Sequence, residues 1–261
     1  MSTVDSRQYR ISFEIEAISQ VPADFVLPSD LATLDAGVFL PRGDADWLGR
    51  RRYPARILLL SGREALVATH PEAGEQPVRV LMDRIESIEW GRILLVGWIV
   101  LNWGSGLIRL PYNTRSRAPI EKFMQALLDR WLPEAPARET ASAGDFGDAL
   151  DLKFEYALSA ELLPGEAILA RFFQPPPSGD LVLVTSRRLL WITERRNGRY
   201  ERYGAVSYSA GLTSIADVRG GGLVISLRDG ESWHIPIRKG REQEAGKFAR
   251  QLEGGFSDAT G

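Results

Sequence analysis

Landmarks in this chain recur at a nearly constant spacing, and that spacing limits the folds open to it. Pro111 and Pro236 stand 125 residues apart, as do Lys122-Phe123 and Lys247-Phe248; Ser87-Ile88 and Ser214-Ile215 stand 127 apart, and Ser61 and Thr185 124 apart. A unit of that length is too long for a solenoid repeat and suits a whole domain. At 261 residues the chain is long enough for two. We therefore expect tandem copies of one fold: domain 1 over residues 6–132, a linker over 133–149 and domain 2 over 150–254. The linker reading rests on composition, since PEAPARETASAGDFGD is rich in Pro, Ala, Gly and small polar groups.

Within each copy the pattern has period two. Tyr9, Ile11, Phe13 and Ile15 alternate with polar residues, as Leu150, Leu152, Phe154, Tyr156 and Leu158 do at the head of the second copy. Both stretches predict half-buried strands, the first an edge or cover strand. Short apolar runs follow at 36–40, 57–60, 65–69, 78–82, 85–90, 93–103 and 107–110, with Gly104-Ser105-Gly106 as a hairpin signal. In the second copy the matching runs are 167–173, 181–184, 189–193, 200–203, 212–218, 223–227 and 232–237, with Asn197-Gly198 and Gly220-Gly221-Gly222 as reversals. Then the period changes. Ile120, Phe123, Met124, Leu127, Leu128 and Trp131 take one face of a helix, Pro119 suits its first turn and Pro133 stops it. Ala245, Phe248, Ala249 and Leu252 repeat the stripe, with Gly254-Gly255 expected to end it. The predicted class is mainly β with capping helices: each copy a bent seven-stranded antiparallel sheet or partial barrel, closed by one C-terminal α-helix.

The second copy carries ordered motifs: LLPGEAILARFF, then LVLVTSRRLLWIT, then GLTSIADVRGGGLVISLRDG, then the helix. Over Leu162 to Leu252 this resembles the bacterial PH-like domain family, of the pleckstrin-homology superfold. The first copy has LLLSGR where the second has LVLVTSRR and lacks a clear PGE, so its membership follows from the repeat. The resemblance implies a binding or scaffolding module and implies no particular ligand.

Composition narrows the function. Lys plus Arg number 32 and Asp plus Glu 34, so overall charge calls for no polyanionic partner, and nucleic acid is an unfavoured one. There is no cysteine, and His70 and His234 are the only imidazoles, which excludes thiolate and multi-His metal sites. Neither His lies in a nucleophile motif, and the triple glycine precedes a strand, whereas a phosphate-cradling loop precedes a helix. We expect no cofactor, no metal and no catalytic residue. MSTVDSRQYR lacks the apolar core of a secretory signal, and the apolar run near Ile93 falls short of the ~20 residues of a membrane span. The expected location is cytoplasmic, with peripheral attachment to a membrane as its variant.

One loop stands out. Between the first two strands of the first copy, PRGDADWLGRRRYPAR sets Arg42, Arg50, Arg51, Arg52 and Arg56 around Trp47, where phosphoinositide-binding PH domains place their basic residues. Two readings stand for it: Arg42, Trp47, Arg50, Arg51 and Arg52 meet an anionic surface, or the loop is solvated with Trp47 folded back and Asp44 and Asp46 weakening the field. The matching QPPPSG of the second copy is uncharged. Arg187, Arg188, Arg195, Arg196, Arg199 and Arg202 read as a solvated hairpin, lacking an aromatic stacking platform. The expectation is a non-catalytic binding or scaffolding protein whose partner is a protein or an anionic lipid surface. The alternatives are a self-assembling structural protein and a hydrolytic enzyme with an inconspicuous site.

Overall fold

A computed structural model describes residues 10–31, 33–44, 52–93, 96–104, 106–132, 150, 152–175, 179–195, 200–207, 212–219, 221–227 and 232–257, some of them, Arg52 included, by the main chain alone. The strands are β1 (Phe13–Glu14), β2 (Ala36–Leu40), β3 (Gly43–Asp44), β4 (Arg52–Tyr53), β5 (Arg56–Ser61), β6 (Glu64–Thr69), β7 (Val78–Leu81), β8 (Ser87–Ile93), β9 (Val96–Asn102) and β10 (Leu107–Asn113). The helix α1 (Arg117–Trp131) follows. Then come α2 (Leu152–Glu161), β11 (Ile168–Gln174), β12 (Asp180–Thr185), β13 (Arg188–Arg195), β14 (Tyr200–Ser207), β15 (Leu212–Arg219), β16 (Gly222–Leu227), β17 (Ser232–Pro236) and α3 (Glu242–Ser257). The protein is mainly β, built of several antiparallel sheets, and none closes into a barrel. Two compact units emerge: Met1–Ile85 with Arg92–Val100 and Ile108–Trp131, and Glu86–Gly91 with Leu101–Leu107 and Leu132–Gly261.

In the first unit the sheet order is β1-β2-β5-β6-β7. Val38, Phe39, Ile57, Leu58, Leu59 and Leu60 are all buried, so β2 and β5 are covered on both faces. That is why their sequences read as unbroken apolar runs and do not alternate. Phe39, Ile57 and Leu59 belong to a core with Ile15, Phe25, Leu66 and Ala68, covered by the irregular segment holding Val21, Leu27, Leu31 and Leu34. α1 packs on β1 and β2, burying Ile120, Phe123, Met124, Leu127, Leu128 and Trp131 as its periodicity predicts. The Trp131 indole donates to the Ile85 carbonyl at 2.8 Å. Pro111, expected just past the last strand, lies inside β10, a sheet edge, which is where a strand tolerates proline.

In the second unit β14-β13-β12-β11 run in that order from the Glu86–Gly91 part of β8, and β15-β16-β17 form a separate three-stranded sheet. Each of these seven strands falls on its predicted run. One core gathers Phe172, Val182, Val184 and Leu189 from the first group, Leu223, Ile225 and Ile235 from the second, and Ala245, Phe248, Ala249 and Leu252 from α3. α3 runs through Gly254 and Gly255 to Ser257, where the sequence placed its end. Glycine costs a helix about 1 kcal/mol per residue but, unlike proline, keeps its N–H and clashes with nothing, so it weakens the last turns without forbidding them.

The larger correction is at the head of this unit, where 150–158 was expected as a strand and 152–161 is the helix α2. No residue of LKFEYALSAE is β-branched, and Leu, Ala, Lys and Glu favour helix. Burial follows the helical period: Phe154 is buried, Ala157 and Leu158 are half-buried, while Leu152 and Tyr156 are 81% and 70% exposed. Phe154 sits edge-on to Phe173 with centroids 5.3 Å apart, so α2 covers the sheet face opposite α3. A strand would give Leu152, Phe154 and Tyr156 one environment. We expect Phe154→Ala to cost about 3–5 kcal/mol in urea unfolding, and Leu152→Ala and Tyr156→Ala each less than about 0.5 kcal/mol; equal losses at all three would restore the strand.

Candidate functional site

The connection from β2 to β5 runs from Pro41 to Ala55 and carries a ribbon of its own, β3 paired antiparallel with β4: Gly43 faces Tyr53 and Asp44 faces Arg52. Gly43 allows this, because a Cβ there would lie 2.7 Å from the Tyr53 hydroxyl. Tyr53 and Ala55 are buried at the root of the loop and Arg42 is exposed. Trp47, Arg50 and Arg51 lie outside the described residues, as does the Arg52 side chain. Arg56 is engaged elsewhere: Nη1 donates to the Arg109 carbonyl at 3.0 Å, Nε to Thr69 Oγ1 at 3.3 Å, and Nη2 lies 3.4 Å from Glu75 Oε2. It therefore belongs to the scaffold of the loop. In the second unit the β11–β12 connection is short, Gln174 facing Asp180; Pro176 and Pro177 lie outside the described residues.

Two sequence motifs meet in the second unit. Arg188 is fully buried, in contrast to the solvated hairpin expected for it, because PGE and TSRR come together. Its Nε donates to Glu166 Oε1 at 2.9 Å and its Nη2 to Glu166 Oε2 at 3.0 Å and to the Glu161 carbonyl. The Glu166 carboxylate also accepts from Thr185 Oγ1 at 2.6 Å and Leu163 N at 2.9 Å, and Thr185 Oγ1 receives Arg188 N at 2.8 Å. Gly165, at φ 74, turns the chain so that Glu166 enters this cluster. The carboxylate, with four donors, is filled, and the bidentate pair ties PGE to TSRR, while Arg188 Nη1 is buried with no hydrogen-bond partner among the described residues. Arg187 is half-buried; the side chains of Arg195, Arg196, Arg199 and Arg202 lie outside the described residues.

The first unit holds a counterpart. Asp35, just ahead of β2, accepts Gly62 N at 2.7 Å from the β5–β6 turn and Arg130 Nη1 at 2.6 Å from α1. The Arg130 hydrogen bond, then the Gly62 amide, hold its carboxyl below the usual 3.8. On the exposed side Arg79 pairs with Asp30, whose carboxyl is lowered by that hydrogen bond.

His70 lies in no nucleophile motif, and the structure gives it two hydrogen-bond partners. It is buried, with Nε2 2.9 Å from Asp24 Oδ2, Nδ1 accepting Glu72 N at 3.3 Å, and the Phe25 ring edge-on at 5.8 Å. Both ring nitrogens are engaged and no hydroxyl is given to them, which is not the geometry of a nucleophile–base pair. His234 is exposed on β17, opposite Val224. Trp191 and Trp233, 5.5 Å apart, pack on the second core, with the Trp191 indole donating to Asp180 Oδ1 at 3.1 Å. Among the described residues no three His, Asp or Glu are grouped to hold a metal ion.

Two measurements check these assignments. Arg188→Met should cost about 3–5 kcal/mol, because it strands a buried carboxylate. Adding Glu166→Leu should recover only part, since Thr185 and Leu163 N lose their acceptor. Asp35 has a folded-state pKa below its unfolded value, so its share of stability is complete above the ordinary carboxylate range and is lost as pH falls through the folded value. Urea midpoints between about pH 6 and 3 should therefore fall less steeply in Asp35→Asn than in the parent.

Comparison with protein-family models, with curated proteins and with solved structures finds no match.

Proposed function

We propose that this chain is a non-catalytic binding or scaffolding protein made of two PH-like domains, over residues 6–132 and 150–254 with 133–149 between them, and that a protein is its main partner. The support for the repeat is the order of elements: β2, β5, β6 and β7, then β8 to β10, then α1, against β11 to β14, then β15 to β17, then α3. The observation that carries the functional reading is where the two halves differ. The first long connection bears the ribbon β3–β4 and an exposed Arg42 in one half and spans only residues 175–179 in the other. The halves differ at their heads as well, β1 against α2, but loops on a rigid scaffold are where recognition resides, and the difference in this loop fits a recognition element.

That ribbon favours one second reading, contact with an anionic lipid surface through Arg42, Trp47, Arg50, Arg51 and Arg52, with the protein residing in the cytoplasm. No helix among the described residues is long and apolar enough to cross a membrane, which suits peripheral attachment and says nothing against other arrangements. Each basic contact contributes about 1 kcal/mol at such a surface. Removing three, as in the Arg50→Ala, Arg51→Ala, Arg52→Ala variant, should lower vesicle affinity roughly a hundredfold.

Co-sedimentation with anionic and neutral vesicles over a salt series tests the lipid reading, which fails if binding is absent, indifferent to salt or unchanged in the variant. Tagged protein recovered from cells should carry a stoichiometric partner that the triple variant loses if the ribbon is the contact. Light scattering that finds a concentration-dependent oligomer of the purified chain, with no partner, would turn the assignment to self-assembly.

A further inference from the structure

We propose that His70 is a proton-operated latch on the turn Pro71–Gly74 between β6 and β7, independent of the binding reading above. The argument starts from the tautomer. A backbone N–H can only donate, so the 3.3 Å contact from Glu72 N requires a bare lone pair on Nδ1. The single proton of the neutral ring is then on Nε2, where it is donated to Asp24 Oδ2 at 2.9 Å. Each nitrogen has its role set by its partner.

Uptake of one proton from water at Nδ1 makes both nitrogens donors. The Asp24 contact gains charge and persists as an ion pair. On the other side a donor now faces the Glu72 amide, so that hydrogen bond, which caps the 3₁₀ turn Pro71–Ala73, is lost. The Glu72 carboxylate is at hand to replace it, with Oε2 3.7 Å from Nδ1 and its side chain 61% exposed. Protonation thus exchanges a main-chain contact of Glu72 for a side-chain one and releases the turn's first amide.

The ring itself does not follow the turn. Phe25, part of the first core, holds it edge-on, and His70 N donates to the Ala55 carbonyl at 2.9 Å. Among the described residues the charged groups facing it are Asp24, from the turn before Phe25, and Glu72, each of which has further partners; the nearby Arg56–Glu75 pair is closed on Thr69. The moving part is therefore the Pro71–Gly74 turn, an exposed stretch ending at Gly74.

Nitrogen-15 NMR of the full chain tests this between about pH 8 and 5. At the upper end His70 Nδ1 should resonate as an unprotonated imidazole nitrogen. On acidification the Glu72 amide should shift in step with the ring and its hydrogen exchange should quicken, and both responses should vanish in His70→Gln. In Glu72→Gln the ring should still protonate and the residue-72 amide should still be released. A protonated Nδ1 at pH 8, a ring that does not titrate in this window, or a Glu72 amide indifferent to the titration overturns the latch; the first is read on the unmodified protein, whatever the variants' folding.

Discussion

A guanidinium with no exposure must find a carboxylate of matching geometry, and in the second unit everything near Arg188 is arranged around that need. Glu166 meets it with both oxygens, which requires the turn Leu163–Glu166 to lie against the turn Thr185–Arg188. With those turns in contact, β11 starts alongside the end of β12, and β12 and β13 pair as Val184 with Leu189 and Leu183 with Leu190. A slip of one residue would turn Arg188 to the other face, away from Glu166, and since both faces of β12 are buried its apolar residues alone would not resist that slip. A buried ion pair adds little net stability compared with an apolar core of the same shape, but breaking it is costly, and that asymmetry suits a device for register.

The first unit meets the same mechanical problem with weaker means. Asp35 joins the β5–β6 turn and α1, but the pair with Arg130 is about a third exposed, 34% and 32% at the two side chains. Solvent screens such a pair, so it contributes less than its counterpart. The burden passes to apolar packing: β2 and β5 are covered on both faces, and α1 buries six large side chains. The two units thus differ in how polar and apolar forces are divided between them.

Much of the fold was legible because its signals are local. Seven runs of the second half became seven strands, and the stripe from Ile120 to Trp131 became a buried helix face, since side-chain periodicity is set within a few residues. The stretch 150–158 misled because its alternation runs the full length of a strand, and Phe154 would be buried on either period. Helix propensity and the lack of β-branched residues were the signals that could have decided it. The candidate loop was legible only as a content of arginine and tryptophan: the pairing of Asp44 with Arg52, the support from Tyr53 beneath Gly43, and the withdrawal of Arg56 to Glu75 and Thr69 are contacts between residues apart in sequence.

By itself, then, the sequence determined the mainly β class and the place of most strands and of two helices, because those follow from composition and period along the chain. Only the tertiary structure decided which charges are buried. Arg188 and Arg187 are neighbours of identical type, and nothing in TSRR says that one is sealed against Glu166 while the other is half-buried. His70 likewise has no local motif, since its partners Asp24 and Phe25 come from a segment more than forty residues earlier. The physical reason is that burial depends on what packs above a residue, and in an antiparallel fold that neighbour is supplied by a distant part of the chain.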